Sequence, residues 1–185
     1  MAASQRELNL RLVPLPIEVA EEMLAGKPRP EAYAASVGKS DARAASEAAV
    51  RHWHPEYPLP DSVDAIALVF AAHRAMLSAI NEQPPAWWIH QILVDGVVVG
   101  DIGFHGPPGP DQAVEIGYSV VPAWRGRGVA SRACGLILRQ AWQDGAEVVV
   151  AETDRDNVAS QAVLLGNGFH QRSDGIFMIK RPEAR

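Results

Sequence analysis

The chain has 185 residues, of which 48% are hydrophobic and 21% charged, which suits one globular domain with a substantial core. A net charge of -5 argues against a nucleic-acid-binding protein, because such a protein needs a basic face. The single cysteine, Cys134, excludes an internal disulfide. Residues 1–10 lack a signal-peptide pattern and no apolar run could span a bilayer, so we expect a cytoplasmic protein.

The first part of the chain is predicted to contain one strand and three helices. Residues 8–13 alternate apolar and polar side chains, which is typical of a half-buried strand. Residues 16–26 begin with proline and end with glycine, as a short helix does. The alanine-rich stretch 42–53 and the acid-capped stretch 61–80 predict two further helices. Between the first two helices, residues 27–41 mix proline, glycine and alanine and are predicted to be a loop.

Two histidines in a proline-rich stretch raise the question of a metal site. His52 and His54 stand one residue apart, before three prolines that rule out a long helix over 52–60. A zinc site needs three or four ligands, and these two histidines lack a third ligand at a helpful spacing. We therefore predict loop residues here and no bound metal.

The second half predicts a β-meander followed by alternating helices and strands. Strands over 87–94, 97–104 and 113–121 are expected to pair in succession, with Asp95-Gly96 as a hairpin turn. The pattern then predicts, in order, a helix over 128–143, a strand over 147–152, a helix over 157–166 and a closing hairpin over 168–172 and 176–180.

The junction between the third of these strands and its helix has the features of an anion site. Pro122 ends strand pairing because it has no N–H, and Gly126 and Gly128 permit a tight turn before the helix. The first N–H groups of a helix have no partner within it and carry the positive end of its dipole. A phosphate or pyrophosphate is therefore the expected ligand. A dinucleotide fingerprint is excluded, because Ser131 stands where its third glycine belongs.

Two blocks of residues, one helix and one strand apart, match the pattern of a known family. The first is Arg-x-x-Gly-x-Ala at 125–130, preceded by a Glu-Ile-Gly-Tyr strand at 115–118. The second is Asn-x-x-Ser at 157–160, followed by Gly-Phe at 168–169. Together they resemble the GNAT superfamily of N-acetyltransferases. The later block is most similar to the branch that includes ribosomal-protein N-terminal acetyltransferases.

The resemblance implies a fold and a domain organisation. It implies an α/β (α+β) GNAT fold, in which a mixed central sheet of about six to seven strands has helices on both faces and a helical N-terminal insertion. The chain is then a single acetyltransferase domain over 8–181. Residues 27–86 would form the variable acceptor side, and residues 113–169 would form the acetyl-CoA-binding core.

The resemblance also implies an activity. Acetyl-CoA would be the co-substrate, and its acetyl group would pass to a primary amine of a small molecule or peptide by direct attack. The alternative is a non-catalytic acyl-CoA-binding sensor built on the same fold. Neither implies a metal, a nucleic acid or a membrane partner, and a homodimer stays open because dimers are common in this fold.

The coenzyme-binding residues follow from the same resemblance. The turn and helix start would bind the pyrophosphate, the backbone of the strand end would pair with the pantetheine arm, and an asparagine would contact that arm from the other side. The residues assigned in this way are Val120, Val121, Arg125, Gly126, Arg127, Gly128, Val129, Ala130, Ser131 and Asn157.

For the catalytic residues, the resemblance leaves alternatives open. Glu115 is either the base, with a pKa raised toward neutrality by partial burial, or a group that only hydrogen-bonds or binds a cationic acceptor. Many family members have a tyrosine acid where this chain has Leu164. Ser160, Tyr118 or water would then protonate the leaving thiolate, unless no acid is needed.

Overall fold

The computed structural model describes residues 8–26, 52–77 and 84–183. In chain order its elements are β1 (Leu10–Pro14), α1 (Ile17–Leu24), β2 (His52–Trp53), α2 (Pro60–Leu77), β3 (Ile89–Val94), β4 (Val97–Phe104), β5 (Ala113–Val120), a 3-10 turn (Pro122–Trp124), α3 (Val129–Gln143), β6 (Val148–Ala151), α4 (Val158–Gly166), β7 (His170–Gln171) and β8 (Phe177–Lys180). The loop predicted over 27–41, most of the helix predicted over 42–53 and the end of the helix predicted over 61–80 lie outside the described residues.

One mixed sheet organises the molecule. Its strand order is β1-β3-β4-β5-β6-β8-β7, with β2 beside the start of β4. The predicted α/β fold with a mixed sheet is confirmed. The described strands number eight rather than six to seven, partly because β2 was not foreseen. His52 and Trp53 were predicted to end a helix; they instead pair in parallel with Val97 and Val98.

The antiparallel half of the sheet follows its sequence signals closely. Asp95 and Gly96 both have positive φ, 49° and 85°, as the predicted two-residue hairpin turn between β3 and β4 requires. The first strand is predicted over 8–13, but Pro14 is the last residue of β1. It is tolerated there because β1 is an edge strand, where a missing N–H leaves no neighbour unpaired.

The helices cover the two faces of the sheet. Side chains alternate between faces along β5, so Tyr118 and Ser119 point in opposite directions. Tyr118 contacts Ser160 of α4 on one face, and Ser119 contacts Ser62 of α2 on the other. Buried apolar residues from the sheet and from all four described helices form one continuous cluster that fixes these positions.

Candidate functional site

Strands β5 and β6 part halfway along β5. They pair in parallel only from Ala113 with Val148 to Glu115 with Val150. β6 ends at Ala151, whereas β5 continues to Val120. Residues 116–120 therefore present a strand edge with no β6 partner. An exposed strand edge is a template for an extended ligand, because its N–H and C=O groups are free to pair.

The gap where β5 and β6 separate is called the parting below. The register of β4 and β5 decides which backbone groups of β5 face it. Val121 donates its N–H to Val99 O at 2.9 Å, and Glu115 O accepts from the N–H of His105 at 2.9 Å. Successive residues of an antiparallel strand face opposite sides, so residues 116, 118 and 120 direct their backbone groups into the parting. Val120 directs its N–H into the parting, as its predicted role requires, whereas its C=O already accepts a hydrogen bond from the Arg125 side chain. The N–H of Val121 is already used, and Tyr118 takes its place.

The turn after β5 exposes a set of unpaired N–H groups. Gly126 and Gly128 have φ of 69° and 75°, the left-handed conformation that favours glycine. The first hydrogen bond of α3 runs from the N–H of Arg132 to Gly128 O at 3.0 Å, and no side chain caps the helix. The N–H groups of residues 129–131 therefore have no partner within the helix and carry its positive dipole end.

The two arginines of the turn have different surroundings. Arg125 donates its Nε–H to Val120 O at 2.8 Å, which ties the turn to the end of β5. The guanidinium of Arg127 lies 5.1 Å from the centre of the Trp124 ring, at cation–π distance. Only Arg125 lines the neighbouring cavity, so the phosphate role predicted for both is supported for Arg125 alone.

A cavity of about 540 Å³ joins the strand edge to the helix start. That volume lies in the range of small-molecule binding sites. Of the predicted residues, Val121, Arg127 and Glu115 do not line it. The predicted residues that do are Val120, Arg125, Gly126, Gly128, Val129, Ala130, Ser131, Asn157 and Ser160.

A hydrogen-bonded pair bridges the parting from β5 to α4. The Tyr118 hydroxyl lies 2.7 Å from Ser160 Oγ, and burial raises the Tyr118 pKa to about 12. Asn157 caps α4, because its Oδ1 accepts from the N–H of Ser160 at 3.1 Å. Tyr118, Asn157 and Ser160 line both the first cavity and an adjoining one of about 390 Å³. The structure thus brings the two protein groups predicted as thiolate donors into direct contact.

Glu115 occupies a different environment from the one expected. Its Oε1 lies 3.1 Å from His105 Nδ1, and this hydrogen bond, outweighing burial, lowers the pKa of Glu115. The predicted upward pKa shift is therefore wrong in direction. Glu115 also lines neither of the two cavities. A carboxylate held ionised in this way is a weak proton acceptor but a good partner for a cation.

The sequence did not predict a row of buried polar side chains on the face of the sheet that packs against α2. Gln91, Asp101 and Ser119 are direct cross-strand neighbours on β3, β4 and β5, and the side chains of the first two are almost fully buried. Ser119 donates to Asp101 Oδ1 at 3.0 Å, and its oxygen lies 3.0 Å from Ser62 Oγ. The sequence signal for this row is a single aspartate in an otherwise apolar strand. A buried carboxylate is costly unless it is hydrogen-bonded or paired, so its presence indicates polar partners nearby.

The residues present fit a coenzyme A ester. A turn with unpaired N–H groups suits a pyrophosphate, and the free edge of β5 suits the amide-containing arm. Within the described ranges, no group of three histidine, cysteine or acidic side chains is arranged to hold a metal ion. None of the helices there is long and apolar enough to cross a membrane.

Comparison with known proteins agrees with this geometry. A family model described as an acetyltransferase (GNAT) domain matches residues 31–170. The chain belongs to this GNAT family. The predicted family is therefore confirmed. A search of the curated proteins finds no match to the sequence.

Solved structures show that this GNAT chain shares its fold with distant relatives. Mycobacterium smegmatis RimJ in complex with CoA-disulfide has 18% identity and a TM-score of 0.55, over 92% of this chain and 81% of its own. The Microcin C7 self-immunity acetyltransferase MccE, in complex with acetyl-CoA and AMP, has 18% identity and a TM-score of 0.53, over 95% of this chain and 94% of its own. A putative ribosomal-protein-serine acetyltransferase from Vibrio cholerae has 16% identity and a TM-score of 0.53, over 97% and 96%. A GNAT-family acetyltransferase from Bacillus anthracis has 18% identity and a TM-score of 0.45, over 50% of this chain and 65% of its own, so this chain spans less than two thirds of that protein.

Proposed function

We propose that this GNAT protein transfers an acetyl group from acetyl-CoA to a primary amine of a peptide or small molecule. One observation carries the proposal: the unpaired edge of β5 and the unpaired N–H groups of α3 open into the same cavity. An extended arm and a diphosphate would therefore be bound side by side, as a coenzyme A ester requires. The complexes of RimJ and MccE support this reading, since they contain CoA-disulfide and acetyl-CoA.

The chain's own residues would orient the reaction. When bound, acetyl-CoA supplies an acetyl group activated as a thioester. The turn at 125–131 holds the pyrophosphate, and the backbone of Tyr118 and Val120 pairs with the arm. A backbone N–H on this edge of β5 donates to the thioester carbonyl, where negative charge develops. Fixing the thioester beside the amine removes much of the entropic part of the barrier.

The arginines of the turn should contribute unequally to coenzyme binding. Arg125→Ala should weaken acetyl-CoA binding about 10-fold, because it removes a cavity-lining cation that also ties the turn to Val120. Arg127→Ala serves as the matched control and should change the Kd by about 2-fold or less, since this side chain lies on Trp124 outside the cavity. Isothermal titration calorimetry measures both. Equal losses of acetyl-CoA affinity in the two variants would contradict a phosphate role for Arg125 alone.

The Tyr118–Ser160 pair is assigned to the leaving thiolate. Tyr118 keeps its proton at neutral pH because burial raises its pKa to about 12, so it acts as a hydrogen-bond donor. Tyr118→Phe should lower kcat about 10-fold, the lower end for a hydrogen bond to a charged group, while the KM for acetyl-CoA stays within about 2-fold. Ser160→Ala tests the partner hydroxyl in the same assay. If kcat is unchanged in both variants, water rather than this pair protonates the leaving thiolate.

A screen of acceptors tests the activity itself. Primary amines and peptides with free N-termini are incubated with acetyl-CoA, and the released thiol of CoA is measured. Peptides belong in the panel because one structural relative is named as a ribosomal-protein-serine acetyltransferase. Acceptor-dependent thiol release, with the acetylated amine identified by mass spectrometry, is the expected result. Binding of acetyl-CoA without turnover of any amine would favour the sensor alternative.

A further inference from the structure

We propose that Asp101, acting through the hydroxyl of Ser119, receives the proton that the acceptor amine loses before it attacks. This inference rests on the proposed acetyl transfer and names the proton acceptor within it. Ser119 would be the residue that contacts the amine, and Asp101 would lie one hydrogen bond behind it.

The geometry connects a hidden carboxylate to the cavity. Asp101 is only 4% exposed and lines neither cavity. Ser119 lines the 540 Å³ cavity and donates to Asp101 Oδ1 at 3.0 Å. Ser62 Oγ, from α2, lies 3.0 Å from Ser119 Oγ and holds that hydroxyl in place from the other side. A group in the cavity thus reaches the carboxylate through one side chain.

Among the described residues, the surroundings of Asp101 provide hydroxyl groups, an amide and a second carboxylate, but no cation. The groups that act on it are Tyr57 after β2, Asp61 and Ser62 on α2, and Ser119 on β5, with Gln91 opposite it on β3. Glu115 and His105 lie farther along the same face and are paired with each other. A buried carboxylate in the described part of this chain therefore lacks the counter-ion that usually accompanies such a charge.

The carboxylate is better suited to this site when it carries a proton. Asp101 Oδ2 is buried and has no hydrogen-bond partner among the described residues, and the same holds for the Tyr57 hydroxyl and the Gln91 amide. An unpartnered oxygen costs less in a neutral acid than in a carboxylate. Burial accordingly raises the pKa of Asp101 to about 6, against the smaller lowering effect of the neighbouring hydroxyl groups. The group is then ionised at pH 7 and ready to accept a proton.

The proton passes from the acceptor ammonium to Asp101 through the hydroxyl of Ser119. An N–H bond of the ammonium breaks, its proton passes to Ser119 Oγ, and the original Ser119 proton passes to Asp101 Oδ1. The ammonium becomes a neutral amine and the carboxylate becomes an acid. The amine lone pair forms the new N–C bond, the C–S bond breaks, and the second N–H proton passes to the leaving sulfur, which gives the free thiol of CoA. Asp101 returns its proton to solvent by the reverse path.

Glu115 is the alternative acceptor, and its contacts oppose that role. The hydrogen bond from His105 lowers the pKa of Glu115, and its side chain lines neither cavity. Its ionised carboxylate would attract a cationic acceptor toward the site through its charge, without contacting it. Glu115→Gln is therefore the matched carboxylate-to-amide control for Asp101→Asn on the same face of the sheet.

Rate profiles against pH separate the two carboxylates. With an alkylammonium acceptor, the wild-type log kcat should rise with pH to a plateau above an apparent pKa of about 6. Asp101→Asn should lower the plateau value of kcat about 100-fold and abolish the rise of log kcat below the plateau, called here the acid limb. Ser119→Ala should do the same. Glu115→Gln should keep the acid limb and raise only the KM for the acceptor, by about 5-fold. An acid limb that persists in Asp101→Asn, or vanishes in Glu115→Gln, would overturn the assignment.

A second acceptor tests whether the loss concerns deprotonation. Hydroxylamine is already neutral at pH 7 and needs no proton acceptor before attack. Asp101→Asn should therefore retain the hydroxylamine rate within about 3-fold while losing about 100-fold with the alkylammonium acceptor. Equal losses with both acceptors would show a structural role and overturn the proposal.

A measurement on the ligand-free protein is independent of turnover. Carbon-13 NMR of the aspartate carboxyl groups should show one resonance titrating near pH 6 that is absent in Asp101→Asn. Titration of Asp101 near the ordinary aspartate value would overturn the inference even if acetyl transfer is confirmed. If no amine is acetylated but the resonance titrates near pH 6, the proposed function fails and with it the relay, whereas the polar row stands as described.

Discussion

Replacement of Gly128 by valine is expected to weaken acetyl-CoA binding at least about 100-fold while the protein stays folded. Gly128 has φ of 75° and precedes the three unpaired N–H groups of α3. No atom lies within 4 Å of a Cβ built there, so the new side chain would occupy ligand space rather than clash with protein. It would also strain the left-handed backbone that aims these N–H groups. Calorimetric titration with acetyl-CoA measures the loss.

The same substitution at Gly145 provides the matched control. Gly145 follows the other end of α3, has φ of 98°, and is equally free of neighbours within 4 Å. It lies about 25 Å from Gly128 along the helix, so strain there cannot reach the cavity directly. Gly145→Val should lower stability to a similar extent but leave the Kd within about 2-fold. Unchanged affinity in Gly128→Val, or equal loss in both variants, would exclude the turn as the pyrophosphate site.

Asp101→Asn is expected to raise the free energy of unfolding by about 3 kcal/mol at pH 8 and by almost nothing below pH 4. The pKa of Asp101 is about 6 in the folded protein, against an ordinary value of 3.8. The folded state thus binds the proton more tightly, and wild-type stability falls as pH rises from about 4 through about 6. Asparagine never ionises, so the variant lacks this loss.

Urea unfolding at several pH values measures the difference between the two proteins. Asp64→Asn, which changes an exposed carboxylate on α2, is the control and should shift stability by less than about 0.5 kcal/mol at every pH. A destabilised Asp101→Asn at pH 8 would mean that the carboxylate is a structural anchor. Together with loss of turnover, a gain in stability would identify a residue kept for activity at a cost in stability.

The features that could be predicted from sequence are those set by local chemistry. The Asp95-Gly96 turn follows from two residues that tolerate positive φ, and the anion-binding turn follows from Gly126, Gly128 and the start of α3. The strand over 97–104 and the helix predicted over 157–166 likewise depend on residues within a few positions of one another.

The features that escaped prediction depend on register between distant segments. Whether Val120 or Val121 faces the parting is decided by its pairing with β4, which a one-residue slip would reverse. The contact of Glu115 with His105 crosses the loop between two strands, and its effect on the pKa cannot be anticipated without that pairing. Asp101 could be marked as unusual in its strand, but the hydroxyls that surround it come from three other segments.

A crystal structure of the protein with acetyl-CoA would show where the coenzyme binds. We expect the pyrophosphate on the N–H groups of residues 126–131 and the pantetheine arm paired with the backbone of Tyr118 and Val120, between β5 and α4. The thioester should then lie within reach of the Ser119 hydroxyl. A coenzyme bound elsewhere, with the free edge of β5 still unpaired, would contradict the account.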